Sequence, residues 1–116
     1  MSIERKHVNA RMSHVVRDDS YVFLAGQVAR AGSGDSVADQ TRDILARIDE
    51  LLSEGGSDKS RLLTATIWLK DILTFDEMNA VWDAWVPEGQ APARACVETK
   101  FPFEQVKVEI QVTARR

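Results

Sequence analysis

The chain has 116 residues, 44% of them hydrophobic, and a net charge of −3, a balance that fits a single globular domain over residues 1–116. Its 15 basic against 18 acidic residues form no clustered patch, so the usual electrostatic footprint of a nucleic-acid binder is missing. The opening MSIERKHVNAR is too polar for a signal peptide, and no apolar run approaches the ~20 residues of a membrane span. One cysteine cannot make an internal disulfide, so a reducing, cytoplasmic setting is expected. That cysteine and two separated histidines, His7 and His14, match no metal-ligand spacing. A domain this small has a modest core, and oligomerisation would help it.

In chain order, MSHVV, RDDS and YVFLAGQVA read as two strands around a polar turn. Gly26 closes the second run, and a glycine-rich loop, ARAGSGDS, follows. Ser36 then caps a helix, with Asp39 three residues on. Val37, Thr41, Ile44, Leu45, Ile48, Leu51 and Leu52 form its buried stripe. Gly55 and Gly56 end it.

RLLTATIWLKDI predicts a central strand. Leu63, Ala65, Ile67 and Leu69 share one face, and Thr64, Thr66 and Trp68 the other. TFDEMNAVWDAW predicts a second helix, with a capping box Thr74-x-x-Glu77 and the stripe Phe75, Met78, Trp82, Trp85. The tryptophans suit helix-to-sheet packing. Two strands, ARACVET and VKVEIQVTA, end the chain. The order is ββαβαββ: an α+β two-layer domain, its mixed sheet bearing both helices on one face. The apolar second face of LTATIW then wants cover, and another subunit would supply it.

On the pleat, Arg94, Cys96 and Glu98 point one way, and Lys107, Glu109, Gln111 and Thr113 form the polar side of the last strand. If those sides line one cleft, Arg94 and Glu109 both face it. Arginine is a rigid two-pronged donor suited to a carboxylate. The plain alternative is an Arg94–Glu109 surface ion pair. Cys96 suits a small buried hydrophobe, because neither histidine is placed by sequence to serve it as a base. His14 is the one side chain near the first strand with an unperturbed pKa close to neutrality.

PARACVE (92–98), AGQV (25–28) and VKVEIQVTA (106–114) together resemble the Rid/YjgF family of reactive-intermediate deaminases. The resemblance runs from about residue 11 to the C-terminus. It implies a chorismate-mutase-like fold, with a mixed six-stranded sheet, that assembles as a homotrimeric barrel with clefts between subunits. It also implies hydrolysis of 2-imino acids and their enamine tautomers (2-aminoacrylate, 2-iminopropanoate, 2-iminobutanoate) to 2-keto acids and ammonia, with no metal or organic cofactor. Under it, Arg94 grips the substrate carboxylate and Glu109 holds the attacking water. The backbone carbonyl of Cys96 contacts that water or the imine nitrogen, and Gly26 lines the cleft. Met12 stands where many members carry a tyrosine, with His14 two residues on. Ala29, Phe101 and Phe103 also depart from the common pattern, in parts that shape the pocket. A pathway-specific deaminase or hydrolase on a related carboxylate, or a non-enzymatic carboxylate-binding or chaperone-like trimer, are the alternatives. The acidic balance argues against a ribonuclease.

Overall fold

The computed structural model describes residues 2–116. Seven strands and two helices follow in the order β1 (Glu4–Val8), β2 (Ser13–Arg17), β3 (Tyr21–Leu24), β4 (Gln27–Val28), α1 (Val37–Gly55), β5 (Leu62–Leu69), α2 (Phe75–Trp85), β6 (Ala93–Glu98) and β7 (Val108–Arg115). One mixed sheet runs β1-β2-β3-β7-β5-β6, and β4 also pairs with β7. All pairings are antiparallel except β5 with β6, where α2 is the crossover that parallel strands require. The α+β two-layer architecture is therefore as expected, but the sheet has seven strands, where the resemblance implies six and the ββαβαββ order read from the sequence has five. The additions are β1, a polar edge strand with exposed side chains, and the two-residue β4. Neither has an apolar alternation to announce it.

The core lies between the sheet and the helices. Val15, Val22, Ile67, Val108 and Ile110 meet Ile44, Ile48, Leu51 and Leu52 of α1, and Met78 of α2, all fully buried. Ser36 caps α1 as its sequence predicts, its hydroxyl accepting from Asp39 N at 3.0 Å. Gly56 is the left-handed cap (φ 83°). Gly55, by contrast, is the last residue of the helix, and its requirement is closeness: a Cβ there would lie 2.6 Å from Val22 Cγ1.

Two further expectations are corrected. The register of β5 slips between Leu62 and Thr64, so Leu62 enters the core and Leu63 stays 40% exposed. A bulge reverses the in–out alternation behind it. The Thr74–Glu77 capping box does not form. Thr74 makes no side-chain cap to α2 and donates its hydroxyl to Asp71 O. Glu77 instead accepts from Ala38 N, in the first turn of α1, at 2.9 Å. It satisfies an orphan amide of the other helix and ties the two helix starts together.

The buried Gln40 secures the approach to β7. Its amide nitrogen donates to Gln105 O at 2.9 Å and its oxygen accepts from Lys107 N at 3.0 Å. No helix among the described residues is long and apolar enough to cross a membrane.

Candidate active site

Strands β3 and β4 lie in succession along one side of β7, with Ala25 and Gly26 between them. Phe23 stands opposite Thr113, whereas Gln27 stands opposite Ile110 and Val28 opposite Glu109. An unbroken register would set Gln27 against Glu109, so one extra residue has entered at the Ala25–Gly26 step. That is a bulge, a device that re-aims side chains. It turns Gln27 inward (5% exposed) and Val28 outward.

Gly26 is required there by space. A Cβ on it would fall 2.1 Å from Glu109 Oε2 and 3.0 Å from its Cδ. The Glu109 carboxyl is half-buried against this glycine, and burial pushes its pKa up from the ordinary value of 4.5. No hydrogen bond from the described residues opposes that shift. The cross-strand partners of Glu109 are Val28 and Trp68, neither of them charged.

Arg94 lies elsewhere. It pairs with Ala65 on β5, and Ala65, Ile67 and Leu69 all face the helices. Its guanidinium therefore projects toward α2, where Nη1 donates to Asn79 Oδ1 at 2.8 Å. Its Cζ sits 5.4 Å from the centre of the Trp82 ring and 5.9 Å from that of Phe75. Glu109 belongs to the opposite face, alternating with the buried Val108 and Ile110. Within one chain Arg94 and Glu109 therefore share neither a cleft nor an ion pair; the clefts that the family resemblance implies lie between subunits. Period-two spacing shows which residues of a strand share a face, but not which face of the sheet that is.

Cys96 shares the helix-facing side and packs against the core. Burial raises its thiol pKa, and the opposing pull of Arg94 is the smaller influence, which disfavours the nucleophilic thiolate. Its backbone is better placed than its sulfur. Thr99 N donates to Leu69 O at 2.9 Å, so by alternation Val97 and Ala95 also bond β5. The N–H and C=O groups of Arg94, Cys96 and Glu98 then point away, along the free edge of the sheet.

His14 Nδ1 lies 3.0 Å from Gln27 Nε2, and its ring meets that of His7 edge-on at 6.5 Å. With Gly26 and Arg47 it lines a shallow cavity of about 400 Å³. Met12 stands in the β1–β2 turn, where its N–H donates to Asn9 Oδ1 at 3.1 Å, and its side chain is 40% exposed. Gly26 and Glu109 are thus brought together, His14 shares a cavity with Gly26, and Arg94 with Cys96 forms a separate group at the edge. Sequence reasoning missed Asn79 as a partner of Arg94. The signal was present: Phe75, Asn79 and Trp82 follow the i, i+4, i+7 spacing of one helix stripe. The larger cavities of the single chain lie elsewhere; one of about 540 Å³ is walled by residues 28–35, Gln40, Phe103, Gln105 and Val106. Among the described residues no cluster of three or more His, Cys, Asp or Glu could hold a metal.

A mixed sheet with both helices on one face, a bulge at a glycine against a half-buried glutamate and an arginine at a free edge define the class: a two-layer α+β domain whose second sheet face stands open. Residues 3–116 match the family described as endoribonuclease L-PSP. A RutC family protein of Haemophilus influenzae is 39% identical over 114 residues, covering 98% of both chains. The RutC family protein YoaB of Escherichia coli is 40% identical with the same coverage. The crystal structure of a YjgF-family member from Neisseria meningitidis superposes with a TM-score of 0.95 at 44% identity, covering 100% of this chain and 96% of the other. The chain belongs to this YjgF/Rid family.

Proposed function

We propose that the protein hydrolyses 2-imino acids and their enamine tautomers to 2-keto acids and ammonia, in sites completed by a second copy of the chain. The observation that carries the reading is the separation of the two charged groups. Arg94, at a free sheet edge, keeps donors for an anion, and Glu109 stands on the opposite, open face against Gly26. A cleft between copies, with the edge of one against the open face of the next, would join Arg94 of one chain to Glu109 of its neighbour. That arrangement also covers Phe23, Val28 and Val97, which one chain leaves 40–47% exposed. A homotrimer, as the family resemblance implies, closes such contacts into a ring.

The chemistry asks mainly for positioning. Arg94 takes the carboxylate through paired N–H donors. The imine, protonated on nitrogen, has an electrophilic carbon. Water adds through oxygen to that carbon while Glu109 accepts its proton, which suits a carboxyl with a raised pKa. The resulting carbinolamine passes a proton to nitrogen, the C–N bond breaks, and ammonia leaves with the keto acid. The carbonyl of Cys96, at the edge, would orient the water or the departing nitrogen. An RNA-cutting role, which the family description names, finds no electrostatic support in a net charge of −3.

The test uses 2-iminobutanoate generated in situ, with its loss followed against spontaneous hydrolysis. Arg94→Ala and Glu109→Gln should each lose about a hundredfold or more in acceleration, with the fold kept, since each removes a charged contact in the transition state. Mixed, unfolded and refolded together, the two inactive variants should recover about a quarter of the wild-type sites if the residues come from different chains. Recovery near zero would place both residues in one chain's site. Unchanged turnover by Arg94→Ala would remove the deaminase reading, and carboxylate binding without turnover would favour a binding role.

A further inference from the structure

The support beneath Arg94 is a built feature of α2. Phe75, Asn79 and Trp82 form one stripe of that helix, and all three touch a single guanidinium. Trp82 is 4% exposed and rests on Trp85, ring to ring at 5.4 Å, so this ring of the bed is fixed by packing, while Phe75 lies at the surface. Arg94 itself is an exposed residue on an edge strand, where an arginine would ordinarily sample many rotamers. The two rings attract its charged plane, and the Asn79 oxygen takes one hydrogen of Nη1. Guanidinium carries five N–H donors. Spending one on Asn79 leaves Nε and Nη2 free, a side-on fork that matches a carboxylate.

We propose that Asn79 is a positioning residue for the carboxylate grip: with Trp82 and Phe75 it holds the Arg94 guanidinium so that the substrate carboxylate docks on the Nε–Nη2 edge. This rests on the reading of Arg94 as the substrate's anchor. Asn79 acts through Arg94 and does not touch the reacting atoms. Its neutrality matters, because an anion at the same place would compete with the substrate for the guanidinium.

The experiment compares Asn79→Ala and Asn79→Asp with the wild type, in imine turnover and in inhibition by the stable keto acid 2-oxobutanoate. Asn79→Ala should raise both KM and the inhibition constant about tenfold, the usual worth of a hydrogen bond to a charged group, with a several-fold smaller change in kcat. Asn79→Asp, though isosteric, should be the worse of the two. A purely structural role predicts the opposite order, with the Asp variant close to wild type. That order, or a KM within twofold of wild type in Asn79→Ala, overturns the proposal.

A second readout needs no activity. In protein labelled with ¹⁵N-arginine, the Arg94 Nε–H resonance, identified by its loss in Arg94→Lys, should stand displaced by the two rings. It should return toward the free-arginine position in Asn79→Ala. If the wild type neither turns over imines nor binds 2-oxobutanoate, the functional reading fails by itself, and this resonance alone decides whether Asn79 positions Arg94. An unmoved resonance in Asn79→Ala shows that it does not.

Discussion

Ile67 and Trp68 are neighbours on β5, yet Ile67 is sealed under the helices and Trp68 is half-open on the far side. The whole sheet divides along that line. On the helix face, Val15, Val22, Val108 and Ile110 have no exposure at all, whereas on the other face Phe23 is 46% and Val97 47% exposed. The helix face holds the chain together. The open face has no cover among the described residues, and in the functional reading it is where a second copy completes the site. The two candidate residues divide in the same way. Arg94 looks toward α2 and is bound there by Asn79, while Glu109 looks outward and has its carboxyl pressed against a glycine.

The largest effect should come from opening the sealed face. Ile67→Ala should cost about 2–5 kcal/mol, the range for emptying a buried isoleucine site, a sizeable part of a small domain's total stability. A residue of the open face sharpens the contrast. Phe23→Asp should leave helix content intact and reduce the mass in solution from a multiple of the 13.0 kDa chain toward the chain itself, because it puts a charge into the face that copies would cover. Urea unfolding monitors the first substitution and light scattering the second. Equal stability losses for both would show that the two faces are not distinct in role. A wild type already monomeric would remove the covered-face argument altogether.

An intermediate effect is expected where the faces are joined, at the bulge. Gly26→Ala brings a methyl group to within 2.1 Å of Glu109 Oε2. The atom struck is the end of a flexible side chain, so the carboxylate gives way rather than the strand. Melting temperature should change little. Activity on 2-iminobutanoate should fall about tenfold or more, since misplacing a catalytic group by 1 Å can cost up to a hundredfold. A loss in melting temperature with kcat/KM unchanged would make Gly26 a folding requirement only.

How much of this was legible in the sequence follows the same physics. Helix α1 was readable almost residue by residue, because a 3.6-residue stripe and a Ser36 cap are local signals. The strands after the hairpin were readable as strands, but their faces were not. A bulge is one extra residue, and one residue inverts a period of two; that is why Leu63 and Leu62 exchanged places and why Gln27 turned inward. Arg94 and Glu109 were each correctly put on the polar side of their own strand. Whether two such sides coincide depends on how β6, β5 and β7 are stacked, which is a matter of long-range pairing. Glu77 shows the same limit at a helix start: its spacing from Thr74 suggested a local cap, and tertiary packing gave it to α1 instead.

The smallest effect concerns the proton on Glu109, and its sign follows from the burial that raises its pKa above 4.5 within the single chain. The folded chain then holds that proton more tightly than the unfolded chain, so stability is greatest below the unfolded value and is lost as pH rises through the folded one. Glu109→Gln cannot lose a proton, so its stability relative to wild type should grow across that window and stay level outside it. Chemical denaturation of both proteins at steps from pH 4 to 8 measures the difference; a difference that does not change with pH would mean that the carboxyl is not desolvated in the folded protein. In activity the direction reverses. The ionised form must accept the proton from water, so kcat/KM should climb with pH through an ionisation above the usual carboxylate range. One carboxyl, desolvated by the fold, therefore costs the single chain some stability at neutral pH while giving the proposed reaction its base.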